Sequence, residues 1–575
     1  MENVKRVPYG ISNFVEVMEQ NQYYVDKTMY LPLLEYQPSN LFFIRPRRFG
    51  KSIFLSMLRA YYDIAQKDKF QKRFGSLWIG SQPTPLQGKF QVLFLDFSRA
   101  SGGNGSLVEN FDDYCGMAMN VFAMSYESYY FPGFAAEMKS LPSFVSKLNY
   151  LNMHTAESGA RLYLIIDEYD NFTNVVLNEQ GNEVYHALTH ASGFYREIFK
   201  KFKGMFERIF MTGVSPVTLD DLTSGFNIGW NISTDPQFNM MLGFSEADVR
   251  TMLQYYKDSG ELPANANIDA MIQEMKPWYD NYCFAEESLG RDPKMFNCDM
   301  VFYYLRHYMT LGKSPKEMID PNTRTDYSKM KKLIQLDRLD GDRKGVLRKI
   351  IEEGEITTSL VTTFPAVEIA NPEIFPSLLF YYGMLTITAT RGNYVVLSIP
   401  NNNVRKQYYE FLLEEYQDKR YLNLNNLGLM YYEMAYNGHW RESLEFIANA
   451  YKENSSVRSA IEGERNIQGF FTAYLSVNAY YLTAPEVELN HGYCDLFLMP
   501  DLLRYEVTHS YILELKYLSE KDTETKAEAQ WQEAIAQIKN YANAPKVLQL
   551  IQNTKLHCIV MQFRGWELQR MEEVL

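Results

Sequence analysis

Leu41-Phe42-Phe43-Ile44-Arg45-Pro46-Arg47-Arg48-Phe49-Gly50-Lys51-Ser52-Ile53-Phe54-Leu55-Ser56-Met57-Leu58 passes from a strand-like apolar run, through a loop, into a helix-like run. A tight loop between strand and helix aims backbone N–H groups and a helix N-terminus at one point, which suits a phosphate. In the pattern G-x-x-x-x-G-K-[ST] the lysine reaches the β- and γ-phosphates of a nucleoside triphosphate, and the hydroxyl ligates Mg²⁺. Lys51 and Ser52 take those places, behind Arg45, Pro46, Arg47, Arg48, Phe49 and Gly50. Arg45 stands where the pattern has its first glycine, so the motif is good but imperfect.

The second half of such a site is Arg161-Leu162-Tyr163-Leu164-Ile165-Ile166-Asp167-Glu168, a continuous apolar run ending in two acids. A run of that kind reads as a parallel strand buried on both faces. Asp167 is expected to support Mg²⁺ and Glu168 to polarise the attacking water. A core strand that merely meets solvent at Asp-Glu is the plainer reading, and the upstream loop weighs against it. A third run, Arg208 to Gly213, places Thr212 where a polar side chain would sense the γ-phosphate, although a strand-terminal Thr is more often a cap.

At 575 residues, with 46% apolar and 15% aromatic residues, the chain is globular and long enough for two to four domains. A net charge of −13 argues against a generally basic nucleic-acid coat but leaves room for a local basic cleft. The cysteines, Cys115, Cys283, Cys298, Cys494 and Cys558, show no C-x-x-C pair or metal-ligand spacing, which reads as reduced thiols in a cytoplasm. The N-terminus has no apolar h-region and no apolar stretch is long enough for a span, so neither secretion nor a membrane is expected.

Strand candidates at 41–45, 91–97, 162–167 and 208–213 alternate with helical stretches, which indicates an α/β fold built on a mainly parallel sheet with helices on both faces. The expected division is a nucleotide-binding core at 1–245, a helical extension at 246–345, a linker with a small strand pair at 346–403, and a C-terminal domain at 404–575. The glycine-rich 101–105 reads as a flexible loop, and the charge-rich 337–349 as a solvated face or linker.

A second constellation lies near the C-terminus. Gly492 to Met499 and Tyr511 to Tyr517 read as neighbouring strands, and the period of two puts Glu514 and Lys516 on one face. Asp495 and Glu514 are suited to hold Mg²⁺, which lowers the pKa of bound water, while Lys516 orients that water or stabilises charge on a phosphate. Glu464, one turn ahead of a helical stripe at 467–475, adds a further acid, and Gln537 and Tyr541 share a face of a helix at 522–543. A Glu–Lys ladder pair on an edge strand is the bland alternative.

These residues together resemble a two-part architecture. Tyr24 to Thr28, Arg45 to Ser52, Ile166 to Asp170, Met211 to Pro216 and Trp278 to Phe284 are similar to the AAA-ATPase-like family of anaerobic gut bacteria and some archaea, where arginine is the normal residue at the Arg45 position. Asn281 replaces a glycine of that family. Glu464, Asp495, Glu514, Lys516 and Gln537 resemble the motif positions of the PD-(D/E)XK nuclease superfamily, and 382–386 with 399–401 fit the same fusion. The resemblance implies a P-loop NTPase, a helical middle segment and an α/β restriction-endonuclease-like domain. It further implies ATP and Mg²⁺ as cofactors and a nucleic acid, with DNA favoured, as substrate. A homo-oligomer would be needed for an arginine finger in trans, for which Arg196 and Arg250 are candidates by position alone. A nucleotide-dependent switch or scaffold that does not cut, and an ATPase with a degenerate nuclease domain, stand as alternatives.

Overall fold

The computed structural model describes residues 4–100, 106–171, 194–218, 229–291, 293–321, 343–365, 371–416, 424–453, 463–489 and 492–575. The expected loop at 101–105 lies outside them. The chain forms two compact units: Met1–Lys313 with Asp320–Val346 and Glu355–Asn401, and Ser314–Ile319 with Leu347–Gly354 and Asn402–Leu575.

The first unit is built on five strands: β1 (Asn40–Ile44), β2 (Gln91–Asp96), β3 (Leu162–Asp167), β4 (Arg208–Gly213) and the short β5 (Trp230–Asn231). Their order is β2-β3-β4-β1-β5, every pair parallel. The apolar runs are central strands because both of their faces are covered; all six residues of β3 are buried. β4 lies between β1 and β3, so the loop after β1 and the acids ending β3 emerge at the same edge of the sheet, one strand apart. Helix α1 (Lys51–Tyr62) follows the loop, and α2 (Leu107–Tyr126) follows β2, opened by a Ser106–Glu109 capping box.

The middle segment carries helices at Glu246–Asp258 and Ile268–Tyr279 and α3 (Cys298–Leu311), the last capped by the Asn297 side chain. The anticipated strand pair is joined by a third strand, giving an antiparallel sheet of β6 (Glu355–Thr358), β7 (Thr386–Arg391) and β8 (Tyr394–Ser398), with β8 central. Between β6 and β7 runs α4 (Phe375–Tyr381), all of whose residues are buried. The charge-rich stretch expected to be a solvated face does not hold at Arg343, which begins a helix running to Glu353 and is fully buried, its guanidinium 4.9 Å above the Phe375 ring.

In the second unit, helices at Asn402–Tyr416, Leu424–Asn437 and Arg441–Glu453 precede α5 (Glu464–Leu475) and a mixed sheet. Its strands are β9 (Tyr481–Leu489), β10 (Gly492–Pro500), β11 (His509–Leu518), β12 (Lys555–Arg564) and β13 (Glu567–Glu573), in sequential order. Only β11 and β12 pair in parallel, and α6 (Glu524–Ala542) lies in their crossover, as a parallel connection requires. Trp531, Ala534 and Ile538 of α6 pack on Cys494, Phe497, Ile512, Cys558 and Val560 of the sheet. Burial of this kind is the main favourable term holding the layers together.

Candidate functional site

In the phosphate loop the backbone takes left-handed conformations at Arg48 (φ 66°) and Gly50 (φ 87°). The first is uncommon for a residue with a side chain and is typical of loops held in shape for function. Gly50 precedes α1 without a side-chain cap, so the first amides of the helix are available to an anion. Lys51 is buried and donates to the carbonyls of Arg45 and Pro46, 2.9 Å each. Burial pushes its pKa down to about 8, with Asp167, Glu168 and Asp170 pulling the other way. The Ser52 hydroxyl donates to Asp167 at 2.6 Å, and the other oxygen of that carboxylate accepts from the Glu168 N–H. Burial raises the Asp167 carboxyl to about 6. Ser52 and Asp167 thus meet across 115 residues, a hydroxyl and a carboxylate of the kind that could hold Mg²⁺.

Two cavities flank the N-terminus of α1. One, of about 70 Å³, is mostly apolar, lined by Tyr23, Tyr24, Gly50, Ile53, Phe54, Met241, Phe244 and Phe302, with Lys27 and Asp299 also on its wall. The other is larger, has polar and apolar lining in similar measure, and includes Ser52, Asp167, Asp96 and Arg59.

Not every loop residue faces them. The Arg45 side chain is committed to the core: it donates to the carbonyls of Ile44, Ser233 and Phe238 and lies between the Phe43 and Phe284 rings, 4.1 Å from each. Burial lowers its pKa to about 9. Only its backbone belongs to the phosphate cradle. Arg48 reaches Asp299 at 3.5 Å, and the Arg47 carbonyl accepts from Asn297. Phe49 is packed edge-on against Tyr282 and Phe284. The Thr212 hydroxyl donates to the Phe43 carbonyl inside the sheet. Glu168 sits at the strand end in a left-handed conformation, φ 49°. Arg250 is engaged by Glu246 and Asp269, and the Arg196 side chain lies outside the described residues.

In the second unit, β11 is buried along nearly its whole length, yet it carries Glu514 and Lys516 on one face. Lys516 Nζ lies 2.9 Å from Glu514 and 3.4 Å from Glu464 at the start of α5. Asp495 on β10 accepts the Leu515 N–H at 2.6 Å, and Gln468 donates to the Asp495 carbonyl. Glu464, Asp495, Glu514 and Lys516 are therefore together. Glu514 is 2% exposed, and one of its carboxylate oxygens, like the carbonyl oxygen of Gln537, is buried without a hydrogen-bond partner.

The electrostatics follow from that crowding. Burial, then the charge of Glu514, raise the Asp495 carboxyl to about 8; burial also raises Glu514. Burial alone would lower Lys516, but the three carboxylates overcome it and hold the ammonium well above its ordinary value. Two carboxylates that resist ionising together, with a bare oxygen between them, fit a divalent cation. Among the described residues no three of His, Cys, Asp and Glu converge to hold a metal by themselves. The donor set is therefore the Asp495–Glu514 pair, which matches Mg²⁺, an ion that takes one or two carboxylates and fills its shell with water and phosphate. Glu464 instead pairs with Lys516.

A phosphate cradle on a parallel sheet, with an acid-tipped strand beside it, defines a P-loop nucleotide-binding unit; an Asp…Glu-x-Lys set on a mixed sheet defines the second. Residues 8–223 match the family model of predicted AAA-ATPases, and residues 462–573 match that of the PD-(D/E)XK nuclease superfamily. The chain carries an AAA-ATPase-like domain and a PD-(D/E)XK nuclease-superfamily domain. It is 25% identical over 288 residues to an uncharacterized protein in the vnfD 5′ region of Azotobacter chroococcum mcd 1, and the match covers 50% of each chain. The chain thus spans about half the length of this curated relative. Among solved structures it is similar to the ORC2 protein of Aeropyrum pernix, at 9% identity and a TM-score of 0.32, covering 68% of this chain and 92% of that one. Among the described residues no helix is long and apolar enough to cross a membrane.

Proposed function

We propose that this protein binds and hydrolyses ATP in its first unit, and that the nucleotide state controls a Mg²⁺-dependent phosphodiesterase in its second, acting on DNA in a bacterial cytoplasm. The observation that carries the second half is the pairing of half-buried Asp495 with buried Glu514, whose unpartnered oxygen lies beside Lys516. Bound there, Mg²⁺ would supply an acidified water and neutralise phosphate charge. Asp495 and Glu514 hold the ion, Lys516 stabilises the growing negative charge, and Glu464 steadies Lys516. In the first unit the apolar cavity beside Gly50 suits a nucleobase, and Lys51 exchanges two neutral carbonyls for phosphate oxygens. Ser52 and Asp167 hold Mg²⁺, Glu168 orients the attacking water, and Thr212 fixes the strand end beside the γ-phosphate.

A non-cutting switch is favoured by one feature, the neutralisation of Lys516 by two carboxylates. Cleavage of single- and double-stranded DNA and RNA in Mg²⁺, with and without ATP, decides between them. Wild type is run beside Lys51→Ala and Glu514→Ala. Cutting lost in Glu514→Ala, and responsive to ATP only when Lys51 is intact, supports the gated nuclease. ATP binding without any cutting supports the switch.

A further inference from the structure

We propose that α4 and the turn at Gly383 sense the nucleotide state, reading the phosphate loop through Pro46 and passing its position to Asn401, where the chain leaves the first unit. The proposal rests on the ATP-binding reading above and concerns how that site is heard.

Gly383 is in a left-handed conformation, φ 77°, and a Cβ there would lie 2.7 and 2.8 Å from Pro46 Cβ and Cγ. Both the backbone angle and the contact therefore demand glycine. Three loop residues bear on one continuous surface. Pro46 meets Gly383; Phe49 packs on Tyr282 and Phe284; Arg45 lies over Phe284, which is in edge contact with Phe380 of α4 at 6.3 Å. Close-packed contacts of this kind transmit displacement because they do not compress.

The surface is gripped at its far end as well. Thr386 accepts from the Cys283 N–H at 2.8 Å and donates to the Asn281 carbonyl at 3.0 Å. Asn401 is buried, donates to the Asp280 carbonyl at 3.0 Å and hydrogen-bonds Tyr282. Segment 280–284 is thus tied to the loop through Tyr282 and Phe284, and to 386 and 401 through hydrogen bonds. Asn402 then opens the next helix, in the second unit.

The trigger and the contact share a residue. Lys51 donates to the carbonyls of Arg45 and Pro46, and those are the bonds it surrenders on turning to a phosphate. Releasing the Pro46 carbonyl frees the residue on which Gly383 rests. A relay needs an element that two sites both bias, and 375–401 is placed to be that element.

Hydrogen exchange of the full-length protein, with and without a Mg²⁺-loaded non-hydrolysable ATP analogue, is the first test. Expected is slowed exchange at 380–401 as well as at the loop; protection confined to 45–52 and 162–170 overturns the proposal. In Gly383→Val, affinity for the analogue falls by roughly tenfold or more, since the loop is pushed off its seat; a folded variant that binds like wild type overturns it. Asn401→Ala is expected to keep analogue affinity while losing the exchange response beyond residue 386 and any ATP dependence of cleavage. An intact response there also overturns the relay. Wild type that binds no ATP analogue at all sinks the nucleotide reading itself, which separates that failure from failure of the relay alone.

Discussion

The two sites hold their lysines in opposite ways. Lys51 donates to two neutral carbonyls, with Arg45 close by in the same loop and also donating to neutral carbonyls. Lys516 is held between two carboxylates, with a third acid alongside. The first arrangement keeps positive charge in stock for an anion and meets it with little rearrangement. The second is crowded with negative charge and short of a cation. The difference teaches that the two units gather opposite charge at their sites, donors around Lys51 and carboxylates around Lys516.

The largest effect expected from that contrast is at Asp495. Asp495→Asn keeps the acceptor for the Leu515 N–H but removes one of the two carboxyl groups that crowd each other. Cleavage should fall by roughly a thousandfold or more, as loss of a metal-holding carboxylate removes most of the transition-state stabilisation the ion supplies. The same change should stabilise the metal-free unit by about 1 kcal/mol, because functional crowding is relieved. A variant that cuts normally, or that is less stable without metal, breaks the comparison. Lys51→Ala comes next: nucleotide affinity should fall by about a hundredfold, consistent with losing one charge-assisted phosphate contact, while Mg²⁺ binding by the second unit, read by calorimetry, stays unchanged.

Arg45→Met probes whether the buried guanidinium is structural. It removes the Arg45 donor from the Ser233 carbonyl and leaves the Phe238 carbonyl with the Met241 N–H alone, and the first unit should lose about 2–3 kcal/mol of stability in denaturant titration. Loss of nucleotide binding with stability intact would instead place Arg45 on the phosphates.

The smallest effect is a pH dependence expected from a histidine pair in the second unit. His509 and His557 are hydrogen-bonded nitrogen to nitrogen at 2.7 Å, and His557 in turn bonds Glu573 at 2.7 Å. A bond between two ring nitrogens needs one of them bare, and burial lowers both histidines below 6.5. The unfolded chain therefore takes up protons more readily, so stability is full above about pH 6.5 and is lost as pH falls below it through the lower folded-state values. The loss should be about 1 kcal/mol by pH 5.5, on the scale of one buried hydrogen bond. His509→Asn should flatten the dependence; an unchanged slope would assign it elsewhere.

The phosphate loop and the Glu514–Lys516 pair were legible because their logic is local: a strand-to-helix break in one case, a period of two in the other. The role of Arg45 was not, since Ser233, Phe238 and Phe284 come to it from about 190–240 residues away. Glu464 was legible as a further acid, but its pairing with Lys516, 52 residues on, was not. Arg343 reads as solvated in a charged run, and only the Phe375 ring, supplied by tertiary packing, explains its burial. Strands β12 and β13 carry no motif, so the chemistry of β11 could be read while its neighbour could not.

That neighbour bears on how the protein is made. β11 pairs with β12 over its full length, from His509–Lys555 to Leu518–Arg564. A ribosome delivers residues in order, and domains tend to fold as they emerge. The nucleotide-binding unit can close while the strand bearing Glu514 and Lys516 still has one side unpaired. The nascent polypeptide thus completes its AAA-ATPase-like domain before the strand pair that carries Glu514 and Lys516, and a message translated only partway yields the former without the latter.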